Sequence, residues 1–349
     1  MTKQMKISRI WFTSAAVLAT VYALVSCVLS KGYTLVTFGN VVQCLTLFAC
    51  YLFTVPNQVR KGQTSKFWTL LSIGFALWLL QQVLWSFYEV VAQKDVPDLF
   101  WGDIVLFLHV VPMLMAFSIQ PQYGERSSAA RLELADSAAM FVWWAYLDVV
   151  YVVVWQYFMP DQSNYNFNFN VVYGAANVSL IVASVISWCR SKGPWQAFFL
   201  HWIGASALYA LASYAASSAI DRGVYYTGCL YDVPLVAAYA WFAGIGLLGR
   251  ELPATGPQAV CENAKSEGVW GARLILATAV ALFAIVILSS SSSLDVAVRI
   301  FRLTLTIVTA GILGVILLFR QGKFERLIAR FQSRPVTGST RSPHPVSGD

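Results

Sequence analysis

The feature that most constrains this chain is a repeated length. Apolar residues fall in ten runs, each of about twenty positions, the length a helix needs to cross a bilayer core of about 30 Å. The runs are Ile10–Leu29, Thr34–Thr54, Phe67–Val90, Gly102–Ile119, Leu134–Phe158, Val171–Trp188, Ala197–Ala219, Gly228–Gly249, Trp270–Ser289 and Val296–Phe319. Hydrophobic residues make up 58% of the 349 positions and charged residues 12%, against about a quarter charged in a soluble domain. Thirteen tryptophans and sixteen tyrosines suit two membrane interfaces, where amphipathic rings collect. The expected fold is all-α: a polytopic transmembrane bundle of about ten spans, its principal partner the lipid bilayer.

Loop charge sets the expected orientation, because lysine and arginine stay on the cytoplasmic side. Lys3, Lys6 and Arg9 precede the first run, and Arg60, Lys61 and Lys66 precede the third. Arg126 and Arg131, Arg190 and Lys192, and Arg250 and Lys265 mark the next three loops of the same side. With Arg320, Lys323, Arg326, Arg330, Arg334 and Arg341 after the last run, 18 of the 24 basic residues fall on one side. The opposite loops carry Asp95, Asp98, Asp161, Asp221 and Asp295. Both termini are therefore expected in the cytoplasm.

The net charge of +7 follows this loop pattern and offers no basic groove with interleaved rings, so nucleic acid is not an expected partner. The six cysteines include no C-x-x-C pair, and no structural disulfide or metal site is expected from them. Leu24-Val25-Ser26-Cys27 after a basic start has the order of a bacterial lipoprotein signal. A second run begins within seven residues, so an ordinary first span is the preferred reading. Residues 1–319 read as the membrane domain. In 320–334, Phe324, Leu327, Ile328 and Phe331 share one face and arginines the other, the pattern of a cytoplasmic amphipathic helix. Residues 335–349, rich in Pro, Ser and Gly, read as a disordered tail.

Ionisable residues within spans are costly and so informative. Glu89 closes the third run, Asp103 opens the fourth with His109 two turns deeper, and Asp232 opens the eighth after Tyr225 and Tyr226. Asp148 lies about 21 Å along the fifth span at 1.5 Å per residue, in its outer half. Singly, Asp103 and Asp232 read as helix N-caps, and His109 as a hydrogen-bonded packing residue. Together, Glu89, Asp103, His109, Asp148, Tyr225 and Asp232 predict a polar, outward-facing cavity for a small cationic or hydrogen-bonding ligand. Gln81, Gln82 and Asn177 read as interhelical hydrogen-bonding residues, and the asparagine-rich stretch Asp161–Asn170 as a connector in preference to a cover over the cavity. No histidine stands three or four residues from His109, so no metal is expected. No phosphate loop, H-E-x-x-H or G-x-S-x-G occurs, so no catalytic residue or cofactor is assigned.

The stretches Trp78-Leu79-Leu80-Gln81-Gln82-Val83-Leu84-Trp85 to Glu89, Gly102-Asp103 through His109 to Pro112, and Asp221-Arg222-Gly223-Val224-Tyr225-Tyr226 with Tyr231-Asp232-Val233-Pro234 carry a resemblance. They resemble the multi-spanning sensory regions that precede diguanylate cyclase (GGDEF) domains, and some histidine kinase domains, in bacterial proteins. The resemblance covers roughly Ser65 to Arg250 and implies an inner-membrane, multi-pass sensory module. No GGDEF sequence or kinase histidine box occurs in the 349 residues, so the output is expected to run through a cytoplasmic signalling partner or a second copy. Two other classes fit ten spans: a small-molecule transporter, with Pro112 and Pro234 as its candidate helix interruptions, and a membrane enzyme using Glu89, Asp103 or Asp148 as acids. The orientation is directly testable. Cysteines placed at Asp161 and Arg190 are expected to label from opposite sides of the membrane, and labelling from one side would overturn the assignment.

Overall fold

The computed structural model describes residues 3–60, 62–97, 99–119, 121, 129–253 and 296–332. These residues form helices and no strand: α1 (Lys3–Val28), α2 (Tyr33–Thr54), α3 (Gln63–Ser86), α4 (Gly102–Ile119), α5 (Ala129–Asp148), α6 (Gln162–Arg190), α7 (Pro194–Asp221), α8 (Asp232–Leu248) and α9 (Val296–Gln332). Among the described residues nine helical stretches, of 18 to 29 residues, are long and apolar enough to cross a membrane. Helices are the form such stretches must take, because hydrocarbon offers no partner for a free backbone N–H or C=O. The outward faces are apolar as well. Leu24, Leu45, Val178, Leu211 and Ile307 are exposed, as expected of helices whose solvent is lipid.

Six helices close a ring in the order α2, α3, α4, α6, α7, α8 and back to α2. On the outside α1 lies against α8, while α5 lies against α4 and carries α9. The ring closes around Trp78 of α3, which is 1% exposed. Its indole stacks on His109 of α4 at 4.3 Å and meets Tyr209 of α7 and Tyr239 of α8 edge-on at 4.5 and 5.0 Å. Gly74, one turn before Trp78, brings α3 and α4 together; a Cβ there would lie 2.7 Å from Met113 and 3.0 Å from the His109 carbonyl.

Side chains also bridge to the backbone of α8. Trp11 Nε1 donates to the Ala240 carbonyl at 2.8 Å, Cys50 Sγ to that of Tyr239 at 3.1 Å and Asn57 Nδ2 to that of Gly246 at 2.9 Å. These bonds fix the depth of α1 and α2 against the helix they cover. The chain alternates between two ends of the bundle, here named for Asp232 and Arg60. α2, α4, α6 and α8 start at the Asp232 end, and α3, α5 and α7 finish there.

α9 runs antiparallel to α5, since Arg302 Nε donates to the Val150 carbonyl at 3.2 Å and Tyr146 pairs with Thr306 at 2.7 Å. Residues 254–295 are therefore flanked by α8 finishing at the Arg60 end and α9 starting at the Asp232 end. The expected span Trp270–Ser289 lies outside the described residues, as do the tail 335–349 and the last two residues of the segment 320–334. Up to Gln332 that segment continues α9 with no break at position 320.

Three sequence expectations change. The stretch read as a connector, Asp161–Asn170, is helical from Gln162: Asp161 is the N-cap of α6 and accepts from the Asn164 N–H at 3.0 Å. That bond draws the Asp161 carboxyl below its ordinary pKa. Pro112 sits inside a continuous α4, and Pro234 lies in the first turn of α8, where a missing N–H costs nothing. Conversely, α3 and α5 lose α-geometry where no proline stands. Phe87–Val91 and Val149–Phe158 are π-helical, with Ala92 N–H bonded to the Phe87 carbonyl and Met159 N–H to that of Val154, both at 2.9 Å.

The ring predicts a stability contrast. Trp78→Ala is expected to destabilise the bundle by about 3 kcal/mol or more, lowering the thermal unfolding midpoint in detergent. Phe167→Ala, at a side chain 69% exposed, is expected to leave that midpoint in place.

Candidate functional site

At the Asp232 end the ring helices splay around a cavity of about 230 Å³. Its deep wall is aromatic: Trp78, Tyr173, Tyr209 and Tyr239. Tyr173 and Tyr209 share a hydroxyl hydrogen bond of 2.5 Å. One side wall is the first three turns of α6, where Tyr165, Phe169 and Tyr173 stand four residues apart. A four-residue spacing puts them above one another on one helix face. Their rings stack in turn, Tyr165 on Phe169 at 6.0 Å and Phe169 on Tyr173 at 5.4 Å, with interplanar angles of 22° and 13°. Trp85 and Phe100, edge to face at 5.8 Å, form another wall. Polar groups reach the space from Gln81, Gln82, Asn166, Asn170 and Ser213, and charge comes from Asp103 and Asp221.

Each predicted carboxylate has its own setting. Asp103 lines the cavity and accepts the Tyr165 hydroxyl on Oδ2 at 2.6 Å. Asp148 lies behind it, 3% exposed and within Coulombic range of Asp103, and its Oδ1 has no hydrogen-bond partner among the described residues. Glu89, on the π-turn ending α3, accepts from Asn40 Nδ2 of α2 at 2.7 Å. Asn40 Oδ1 in turn accepts from Ser86 Oγ at 2.8 Å and Gln82 Nε2 at 3.3 Å. This lattice ties α2 to α3 beside the cavity.

Asp232 is fully buried and accepts three bonds: from Tyr225 at 2.9 Å, Tyr22 at 3.2 Å and the Gly228 N–H at 2.7 Å. Gly228 has φ of +96°, and a Cβ there would lie 2.6 Å from the Leu35 carbonyl, so only glycine lets the loop turn its amide onto Asp232. Ser26 of α1 bonds the Gly228 carbonyl at 2.6 Å. Burial and Asp232 both push the Tyr225 hydroxyl well above its ordinary pKa, which keeps it a donor. Tyr225 also lines the cavity, so Asp232 positions that wall rather than facing the space itself.

The structure thus brings Asp103 and Tyr225 to the cavity and sets Asp148 and Asp232 immediately behind them. Glu89 belongs to the flanking lattice, and His109 lies beneath, stacked on Trp78 with Nδ1 on the Leu106 carbonyl. Neither aspartate acts as the expected N-cap. The Asp103 carboxylate meets Tyr165 across the ring, and that of Asp232 turns back to the preceding loop. Gln82 makes the expected interhelical bond, whereas Asn177 bonds the Tyr173 carbonyl of its own helix. Among the described residues no group of three or more His, Cys, Asp or Glu side chains is placed to hold a metal ion.

Sequence reasoning offered the stretch holding Tyr165 and Phe169 as a cover for the cavity only as its second choice, and did not assign Tyr165, Phe169 or Tyr173 to the site. The signal was present as an Asp161 N-cap followed by aromatics every fourth residue, hidden by alternating asparagines. No family model matches the chain, and no curated protein or solved structure is significantly similar to it.

The three-bond centre at Asp232 generates a graded prediction. Asp232→Ala strands three donors, each costing about 1–3 kcal/mol when buried unpaired, whereas Tyr225→Phe removes one bond. Scanning fluorimetry is expected to show a much larger loss of midpoint for Asp232→Ala than for Tyr225→Phe; equal losses would refute the assignment of Asp232 as the organising acceptor.

Proposed function

We propose that this chain is a transmembrane sensory module of a bacterial inner membrane. In this reading ten spans hold both termini in the cytoplasm, and the cavity at the Asp232 end opens to the outside. A small ligand entering it shifts helix packing, and the cytoplasmic extension of α9 passes that shift to a signalling partner or a second copy.

The observation that carries the reading is a continuous physical route from the cavity to α9. Asp103 lines the cavity, and Asp148 stands in Coulombic range behind it. Immediately after Asp148 the helix turns π, a geometry often found at functional sites and one that can shift register. Within that π segment the Val150 carbonyl accepts from Arg302 of α9, whose guanidinium also lies over Tyr151 and Trp155 at 5.3 and 5.8 Å. α9 then runs unbroken to Gln332. α9 packs mainly on α5, so a register change there has one principal place to go. A ligand biases such a two-state element only by binding its two arrangements unequally. The placement of α8 and α9 at opposite ends across residues 254–295 supports an even number of spans. The uninterrupted α4 and α8 favour this reading over the transporter, whose broken helices they lack.

The test is native mass spectrometry of the protein extracted into nanodiscs, paired with hydrogen exchange on α9. A small adduct is expected on the wild type and absent from Ser213→Phe, which fills the cavity. Exchange along 310–332 is expected to differ between the two proteins, and Arg302→Ala is expected to erase most of that difference. An adduct retained by Ser213→Phe, or α9 exchange indifferent to cavity filling, would refute the reading.

A further inference from the structure

A site suited to a cation needs negative potential, no competing positive group and surfaces able to replace its water. The cavity meets all three conditions. Among the described residues its charged lining is Asp103 and Asp221, and no lysine, arginine or histidine lines it. Asp148 places a second buried carboxyl behind Asp103, with Oδ1 unpartnered among the described residues. Two carboxylates within Coulombic range of one another in a low-dielectric setting are both stabilised by a positive charge brought beside them.

The rings decide which kind of cation. A hard metal ion asks for six or more oxygens around it, and among the described residues no group of three or more His, Cys, Asp or Glu is placed to hold one, whereas nine of the lining residues are aromatic. Tyr165, Phe169 and Tyr173 present a stacked row on one side, with Trp85 across from them and Trp78 below. Aromatic faces attract ammonium groups and most of all quaternary ones, which carry little hydration to lose. A volume of about 230 Å³ suits a molecule smaller than the drug-sized ligands of larger pockets. We infer that the cavity binds a small organic cation, its ammonium group seated between the Asp103 carboxylate and the aromatic side chains of α6, with the amide of Gln81 available to its polar remainder. This rests on the reading of the cavity as a ligand site and names the class of ligand it takes.

The experiment is isothermal titration of the purified full chain in detergent with three cations, tetramethylammonium, choline and putrescine. The neutral isostere of choline, 3,3-dimethyl-1-butanol, serves as the matched probe without charge. At least one cation is expected to bind, with choline favoured over its isostere by roughly tenfold or more. Asp103→Asn, which keeps an acceptor for Tyr165, is expected to abolish that preference. Phe169→Leu, which keeps the bulk and removes a ring face, is expected to weaken quaternary binding by several-fold and provides an independent arm if the aspartate variant does not fold. Equal affinity for choline and its isostere, no binding by any of the three cations, or cation binding unchanged in both variants would overturn the inference. A neutral adduct on the wild-type protein that Ser213→Phe excludes would overturn the cation and leave the cavity reading standing. An adduct indifferent to Ser213→Phe would remove both.

Discussion

Trp78 is where four ring helices meet, and the rest of the bundle is arranged by what its indole excludes and supports. Lipid tails are as apolar as leucine, so transmembrane helices associate through close packing and interhelical hydrogen bonds more than through a hydrophobic drive. A large flat ring fixed by His109 below and by Tyr209 and Tyr239 at its edges supplies such packing to α4, α7 and α8 together. Gly74 permits the close approach of α4 that the stack on His109 requires. Toward the Arg60 end the aromatic core continues through Phe75, Phe242 and Trp202. Toward the Asp232 end the cavity begins, with the same indole in its deep wall and Trp85 and Phe100 in a side wall.

The polar residues around that cavity follow one rule. Three carboxylates near the Asp232 end take their hydrogen bonds from different elements: Glu89 from α2, Asp103 from α6, Asp232 from α1 and the loop after α7. Buried acceptors of this kind fix helix register, because sliding any one helix leaves a charged or polar group without a partner. Asp148 stands apart with an oxygen unpartnered among the described residues, and it is also the residue at which α5 changes from α to π geometry. A buried carboxyl with an unpartnered oxygen thus coincides with the start of a π-helical segment, and α9 is attached there.

The bilayer length of the apolar runs, the position of most helix ends and the gathering of acidic residues toward one end were legible in the sequence. Each depends only on local facts: how many residues cross hydrocarbon, and which side chains hydrocarbon rejects. The start of α6 was not legible, because Asn164, Asn166, Asn168 and Asn170 mask a helical repeat of aromatics with residues that favour turns. The roles of Asp103 and Asp232 were misread for a related reason. A capping aspartate and one that reaches another helix look alike until the partner, here Tyr165 or Tyr22, is brought across the ring.

By itself the sequence determined that the described chain would be helical and apolar on every outward face, since a bilayer-length segment has no other way to satisfy its backbone. Tertiary structure alone decided which helices share the ring, that Trp78 closes it, and that the space above is lined by Tyr165, Phe169 and Tyr225. The physical reason is that hydropathy is nearly uniform around each span. With no amphipathic face to point inward, the facing of each helix is set by the fit of particular rings and the reach of particular hydrogen bonds, which exist only once the helices are side by side.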